Sequence, residues 1–151
     1  MKTDLGKIFT ISGEQGLFKY VAQAAGSRGA ILESLITKKR IMASQSAKMS
    51  ALTDISIYTE EDEVKLQDLF EILKKELGEE KAPSGKIDPK EYKTFFDKAF
   101  PSYDKERFYP SHMKKVCEWY NCLKEFATLD FMSEEEREEE AKRLLEKKGS
   151  K

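Results

Sequence analysis

Two absences narrow the field before any motif is found. Histidine occurs once, at His112, so a Ser-His-Asp or Cys-His arrangement would rest on a single residue. Cysteine occurs twice, at Cys117 and Cys122. On one helix, five positions apart, these project about 140° from each other around the axis, so they neither pair nor share a metal. They read as thiols of a reducing compartment, and no paired Cys/His pattern of a zinc site exists. No apolar run approaches the roughly 20 residues that span a bilayer. The opening MKTDLGKIFTISGEQG carries Asp4 and a polar break at Ser12 and Gly13, unlike the apolar core of a secretory leader. A cytoplasmic protein with no membrane partner is expected. No GK[ST] phosphate loop is present, and GEQG (13–16) and GSRG (26–29) lie between strand-like runs, where hairpin turns explain them. The acidic clusters at 60–63 and 134–140 lack EF-hand spacing and read as solvated faces. No catalytic residue, cofactor or metal is expected.

What the chain does have is charge of both signs, unevenly placed. Of 151 residues 36% are charged, and the net charge of −1 hides a split. Up to Tyr58 eight Lys/Arg face four Asp/Glu; beyond it nineteen face twenty-four, so the halves carry +4 and −5. The first half is therefore the better candidate for an anionic partner. Its basic run at 37–40 supplies Lys38, Lys39 and Arg40, which with Arg28 and Lys48 make the candidate anionic-partner surface.

Residues 1–59 read as β. Short runs rich in β-branched and aromatic residues fall at 7–12, 17–24, 30–36, 40–44 and 55–59, separated by turn-formers. Alternation is blurred in the second and third runs, as in strands that bend to serve two faces of a small barrel. A helical turn around 50–54 before the last strand suits that closure. The expectation is α+β: a five-stranded SH3-like barrel, with a partly open sheet as the alternative, then a module of three or four helices over 60–132. A charged helix or tail follows over 133–151.

In the helical module Thr59 reads as an N-cap, with three acids in the first turn and Leu66, Leu69, Phe70, Leu73 and Leu77 as the stripe, stopped by Gly78. A mobile loop is expected near 79–87. Eleven of the sixteen aromatics crowd into 88–131. Tyr92, Phe95, Phe96, Ala99 and Phe100 form one helical stripe behind Asp88-Pro89, a cap followed by proline at the first helical position. Val116, Trp119, Tyr120, Leu123 and Phe126 form a second, with Ser111 as its cap. Tyr103, Phe108 and Tyr109 are expected to fold back from the joint. Ser133 and Glu136 make a capping box for a last helix whose apolar face, Ala141, Leu144 and Leu145, is thin. That helix either docks by its leucines or frays.

Three stretches, KIFTISGEQGLFKYVAQ, DISIYTEEDEVKLQDLF and PSYDKERFYPSHMKKVCEWYNCL, resemble a family of small two-module bacterial proteins of unknown function. The family pairs an N-terminal SH3-like β module with a C-terminal helical module. The resemblance covers residues 1–131 and implies the two-module fold, with no activity, ligand or catalytic residue.

The residues point to a non-enzymatic binding protein, working by protein–protein contact or self-association. The competing class is nucleic-acid binding through the basic hairpin of the β module. The passive reading depends on buried rings. Trp119 in an open cleft with His112 and a carboxylate would overturn it.

Overall fold

The computed structural model describes residues 2–14, 16–23, 29–44 and 48–149, with side chains to Glu146. The first half forms a 3₁₀ turn (Leu5–Lys7) and five strands: β1 (Ile8–Ile11), β2 (Phe18–Gln23), β3 (Gly29–Ser34), β4 (Arg40–Ser44) and β5 (Met49–Ala51). They pair antiparallel in the order β4-β3-β2-β1-β5. A register shift between Tyr20 and Ala22 marks an irregularity in β2, the device that bends a strand and lets it serve two layers.

The expected closed barrel is corrected to an open sheet, because β4 and β5 form its two edges and do not pair. Two residue-level reasons account for this. The run at 55–59, expected to close the barrel, instead forms β6 (Ser56–Tyr58) and pairs with β7 (Glu63–Lys65) in a separate hairpin. Its place beside β1 is taken by β5, whose three residues register Phe9 with Ala51 and Ile11 with Met49. The end of the second expected strand and most of the GSRG turn lie outside the described residues.

After β7 come α1 (Leu66–Leu77), α2 (Pro89–Ala99), α3 (Pro110–Phe126) and α4 (Glu134–Gly149). Among the described residues no helix is long and apolar enough to cross a membrane. The first helix starts at Leu66 rather than at Thr59, since 59–62 is the turn of the β6–β7 hairpin. Its stripe is as expected: Leu66, Leu69, Phe70 and Leu73 are fully buried, and Gly78 ends the helix at φ +61°. Asp88 caps α2, its carboxylate accepting from the Lys90 N–H at 2.9 Å. Ser111 is not the cap of α3. That helix begins two residues earlier than such a cap implies, with Pro110 at its first position and Tyr109 before it. The loop at 79–87 is tethered at buried Ala82, whose N–H donates to Asn121 Oδ1 at 2.8 Å. In return Asn121 Nδ2 donates to the Ala82 carbonyl at 3.0 Å.

One apolar cluster joins the two halves. Leu5, Ile8, Leu17, Leu35 and Leu52 from the first pack with the stripes of α1, α2 and α3. A smaller cluster of Phe18, Ala30, Leu32 and Ala43, with Phe9, Ile11 and Met49 against it, belongs to the sheet alone.

The last helix docks by its first turn, not by its leucines. Ser133 and Glu136 exchange capping-box hydrogen bonds of 3.1 and 3.2 Å. Lys2 pairs with Glu136 at 2.9 Å, and Arg137 donates to Gln67 Oε1 at 2.9 Å and to the Met132 carbonyl at 2.7 Å. Leu144 and Leu145 are exposed. The hydrogen bond from Lys2 holds the Glu136 carboxyl below its ordinary value of 4.5, and the same bond holds the Lys2 ammonium above 10.5. A depressed carboxylate stabilises the fold above its unfolded value and loses that contribution as pH falls through the folded one. A raised lysine does so below its unfolded value and loses it as pH rises. The clamp is thus complete between those limits. Amide-exchange protection at the start of α4 should fall below pH 4.5 and also in about 1 M salt at neutral pH, where screening shortens to about 3 Å, while α3 keeps its protection. Unchanged protection in both conditions would mean that charge does not hold α4.

Candidate functional site

The hairpin β6–β7 is closed by Thr59, whose Oγ1 accepts from the Asp62 N–H at 2.9 Å while its own N–H donates to the Asp62 carbonyl at 2.8 Å. The outer edge of β6 is met by the joint between α2 and α3. Asp104 N–H donates to the Tyr58 carbonyl at 2.9 Å, Glu60 N–H donates to the Ser102 carbonyl at 3.0 Å, and Thr59 bridges Tyr103 antiparallel.

Asp104 fixes the joint. Its carboxylate accepts from the Glu106 N–H at 2.8 Å and from Arg107 Nε at 2.9 Å. These bonds, the Glu106 N–H foremost, hold its carboxyl below the ordinary range. The Arg107 guanidinium lies 4.5 Å from the centroid of the Tyr58 ring. Beneath, Tyr103 and Phe108 fold back as expected, meeting edge-to-face at 5.6 Å, with Phe96 at 5.1 Å from Phe108. Burial, then the 2.6 Å hydrogen bond from its hydroxyl to Asp97, pushes Tyr103 up to about 12. Tyr109 does not fold back; it is 53% exposed.

Between β6, this joint and the first half of α3 lies an open cleft of about 270 Å³. Ile55, Ile57, Phe108, Val116 and Trp119 supply its apolar walls; Ser56, Tyr58, Arg107, His112 and Lys115 supply its polar groups. Among the described residues no carboxylate lines it. Trp119, one position from fully buried Tyr120, is only half-buried and faces this space. Two of the three features that would overturn the passive reading are therefore present, and the third, the carboxylate, is not. His112 sits as a helix-start residue, its Nδ1 accepting from the Tyr109 N–H at 3.5 Å. The Cys117 thiol is fully buried and pushed up to about 12 by that burial, so it supplies no thiolate. Two cations beside an aromatic wall suit recognition of an anion carried next to an apolar group.

The predicted basic residues are not drawn together. Lys38 occupies the β3–β4 turn with φ +64°, its ammonium 5.7 Å from the Phe126 ring centroid at the far end of α3. Lys39 is exposed, and Arg40 pairs with Glu33 at 3.4 Å. Lys48 lies elsewhere, sharing with Lys115 a broad depression beside Ser12 and Ser50 that Lys38, Lys39 and Arg40 do not line. Arg28 is outside the described residues. Sequence reasoning missed Arg107 and Lys115. A signal existed for the second: His112, Lys115 and Trp119 stand at i, i+3 and i+7, one helical face.

Residues 5–52 match the model of one domain of unknown function (DUF5606), and residues 55–123 match another (DUF6852). The two matches follow one another along the chain. This order is consistent with the two-module organisation that the sequence resemblance implied, and the whole cleft, from Ile55 to Trp119, lies within the second matched region. The chain is also similar to a solution NMR structure from Bacteroides vulgatus, a structural-genomics target. That likeness has 29% identity and a TM-score of 0.60, and covers 85% of this chain and 89% of that one. Among curated proteins nothing matches the chain.

Proposed function

We propose that the protein is a non-enzymatic cytoplasmic binding protein whose cleft between β6 and α3 receives a protein partner, with the sheet, an opened version of the SH3-like barrel expected from sequence, as its scaffold. The observation that carries this reading is the composition of the cleft: Trp119 and Phe108 on an apolar wall, Arg107 and Lys115 at the polar side, and no lining carboxylate. Such a surface desolvates an aromatic anchor and rewards a negative neighbour, the combination found at binding hot spots. A second reading, nucleic-acid binding, is favoured by the exposure of Lys38 and Lys39 on the β3–β4 turn and of Arg40 at the start of β4.

Affinity capture from the native cell extract separates the two. The baits are the wild-type chain, an Arg107→Glu/Lys115→Glu variant and a Lys38→Glu/Lys39→Glu variant, each with and without nuclease. The cleft reading expects a nuclease-resistant partner, another protein or a second copy, that the hairpin variant keeps and the cleft variant loses at least tenfold. Loss on nuclease treatment, or loss with the hairpin variant instead, would favour nucleic acid. Light scattering identifies a second copy by a mass that rises with concentration.

A further inference from the structure

The ladder of the β6–β7 hairpin determines where the backbone of β6 points. Leu66 N–H donates to the Ile55 carbonyl at 3.0 Å, and Thr59 bonds Asp62 in the same ladder. In an antiparallel pair, hydrogen-bonded residues alternate with residues whose N–H and C=O point the other way. Ile55, Ile57 and Thr59 therefore bond toward β7, whereas Ser56 and Tyr58 point outward. The Tyr58 carbonyl uses that outward direction to accept from Asp104. Ser56, two residues along the same edge, lines the cleft, and no hydrogen bond to its backbone occurs among the described residues. The segment at 102–104 thus already runs antiparallel beside β6, then turns away at 105–107 and leaves the edge at Ser56 open onto the cleft.

We propose that this edge takes an extended acidic peptide segment of another protein, paired to the Ser56 backbone, with one bulky apolar side chain against Trp119 and a carboxylate between Arg107 and Lys115. The inference rests on the binding reading of the cleft and adds the form of the partner. Three independent features fit one occupant. An open strand edge recruits a strand, main-chain bonds giving affinity and adjacent pockets giving specificity. At about 270 Å³ the cleft is smaller than the roughly 300–1,000 Å³ of pockets that enclose a whole small-molecule ligand, and suits a single large side chain. Arg107 donates Nε to Asp104, and among the described residues its other four N–H donors make no hydrogen bond and Lys115 forms no ion pair, although Arg107 also borders the acids at 60–63 on its far side.

The test screens the full chain against a positional-scanning library of end-capped fluorescent hexapeptides, then measures the best peptide by anisotropy and by the amide shifts of the protein. Selection of one bulky apolar residue flanked by Asp or Glu is expected, with the Ser56 amide among the largest shifts. Methylating the peptide nitrogen that faces the Ser56 carbonyl should weaken binding about five- to tenfold, the value of one hydrogen bond. The Arg107→Glu/Lys115→Glu variant should lose at least tenfold while keeping the wild-type circular dichroism. An empty screen, a basic or neutral selection, an unmoved Ser56 amide or indifference to methylation each overturn the proposal. So does displacement of the peptide by single-stranded oligothymidine at physiological salt. A nuclease-resistant partner that still depends on Arg107 and Lys115 would then leave the cleft reading standing and reject only the strand-addition form.

Discussion

Phe70→Ala is expected to cost about 3–5 kcal/mol, the range for emptying a large buried aromatic site. For a chain of this size that lowers the melting midpoint by roughly 10 °C. The case rests on where Phe70 sits. It lies on the buried stripe of α1 and is fully inaccessible. Its ring stacks on Phe131 at 5.8 Å and tilts against Tyr120 of α3 at 6.1 Å. Truncation therefore removes the contact that α1, α3 and the segment before α4 have in common. Urea unfolding measures the loss directly. A change below about 1 kcal/mol would mean that the site collapses without a cavity and that α1 contributes little to the shared core.

The second large effect is at Gly29, the first residue of β3. Its φ is +135°, and a Cβ built there would stand 1.9 Å from the Ala43 carbonyl oxygen of β4. The obstacle is backbone rather than a flexible side-chain tip, so the β3–β4 ladder must open at the pair Gly29–Ser44 or the residue must leave its conformation. Gly29→Ala should therefore destabilise by about 3 kcal/mol or more, strain and overpacking together. Gly78→Ala is the control: nothing lies within 4 Å of the added carbon, so only the local backbone strain of φ +61°, ψ −116°, about 1–3 kcal/mol, applies. Equal losses at the two positions would show that the close approach to Ala43 is not what makes Gly29 necessary.

The parts legible in the sequence were those where one local rule acts alone. The stripe Leu66–Phe70–Leu73 and the Asp88-Pro89 start of α2 are written in spacing and cap chemistry, and the Ser133–Glu136 box is realised as read. Where two rules share a signal, the reading failed. Thr59 does accept a hydrogen bond from the N–H three residues on, as an N-cap would, but the same bond closes a hairpin turn, and the acids at 60–62 fit either. With β7 only three residues long, its pairing with β6 left no alternation to betray it. The short β5 was hidden for the same reason, and with it the open form of the sheet. The cleft was illegible because it is assembled from β6, the joint at Arg107 and the helix at Trp119, brought together by the bonds of Asp104 to the backbone and side chain of Arg107. Periodicity placed Trp119 in the core with Tyr120; only the course of the neighbouring joint leaves its outer side uncovered.

Thr3 has a bearing on how the molecule is made. Its N–H donates to the Asp130 carbonyl at 2.7 Å, its carbonyl accepts from Met132 N–H at 2.9 Å, and its hydroxyl meets Thr128 at 2.9 Å. A chain emerging from the ribosome has its β domain exposed long before residues 128–132 are available to meet that threonine, so this seam is among the last to zip during synthesis. Contacts of such long separation are slow to form because the intervening chain must be organised first. The two halves are therefore assembled from within and fastened last where Thr3 meets residues 128–132.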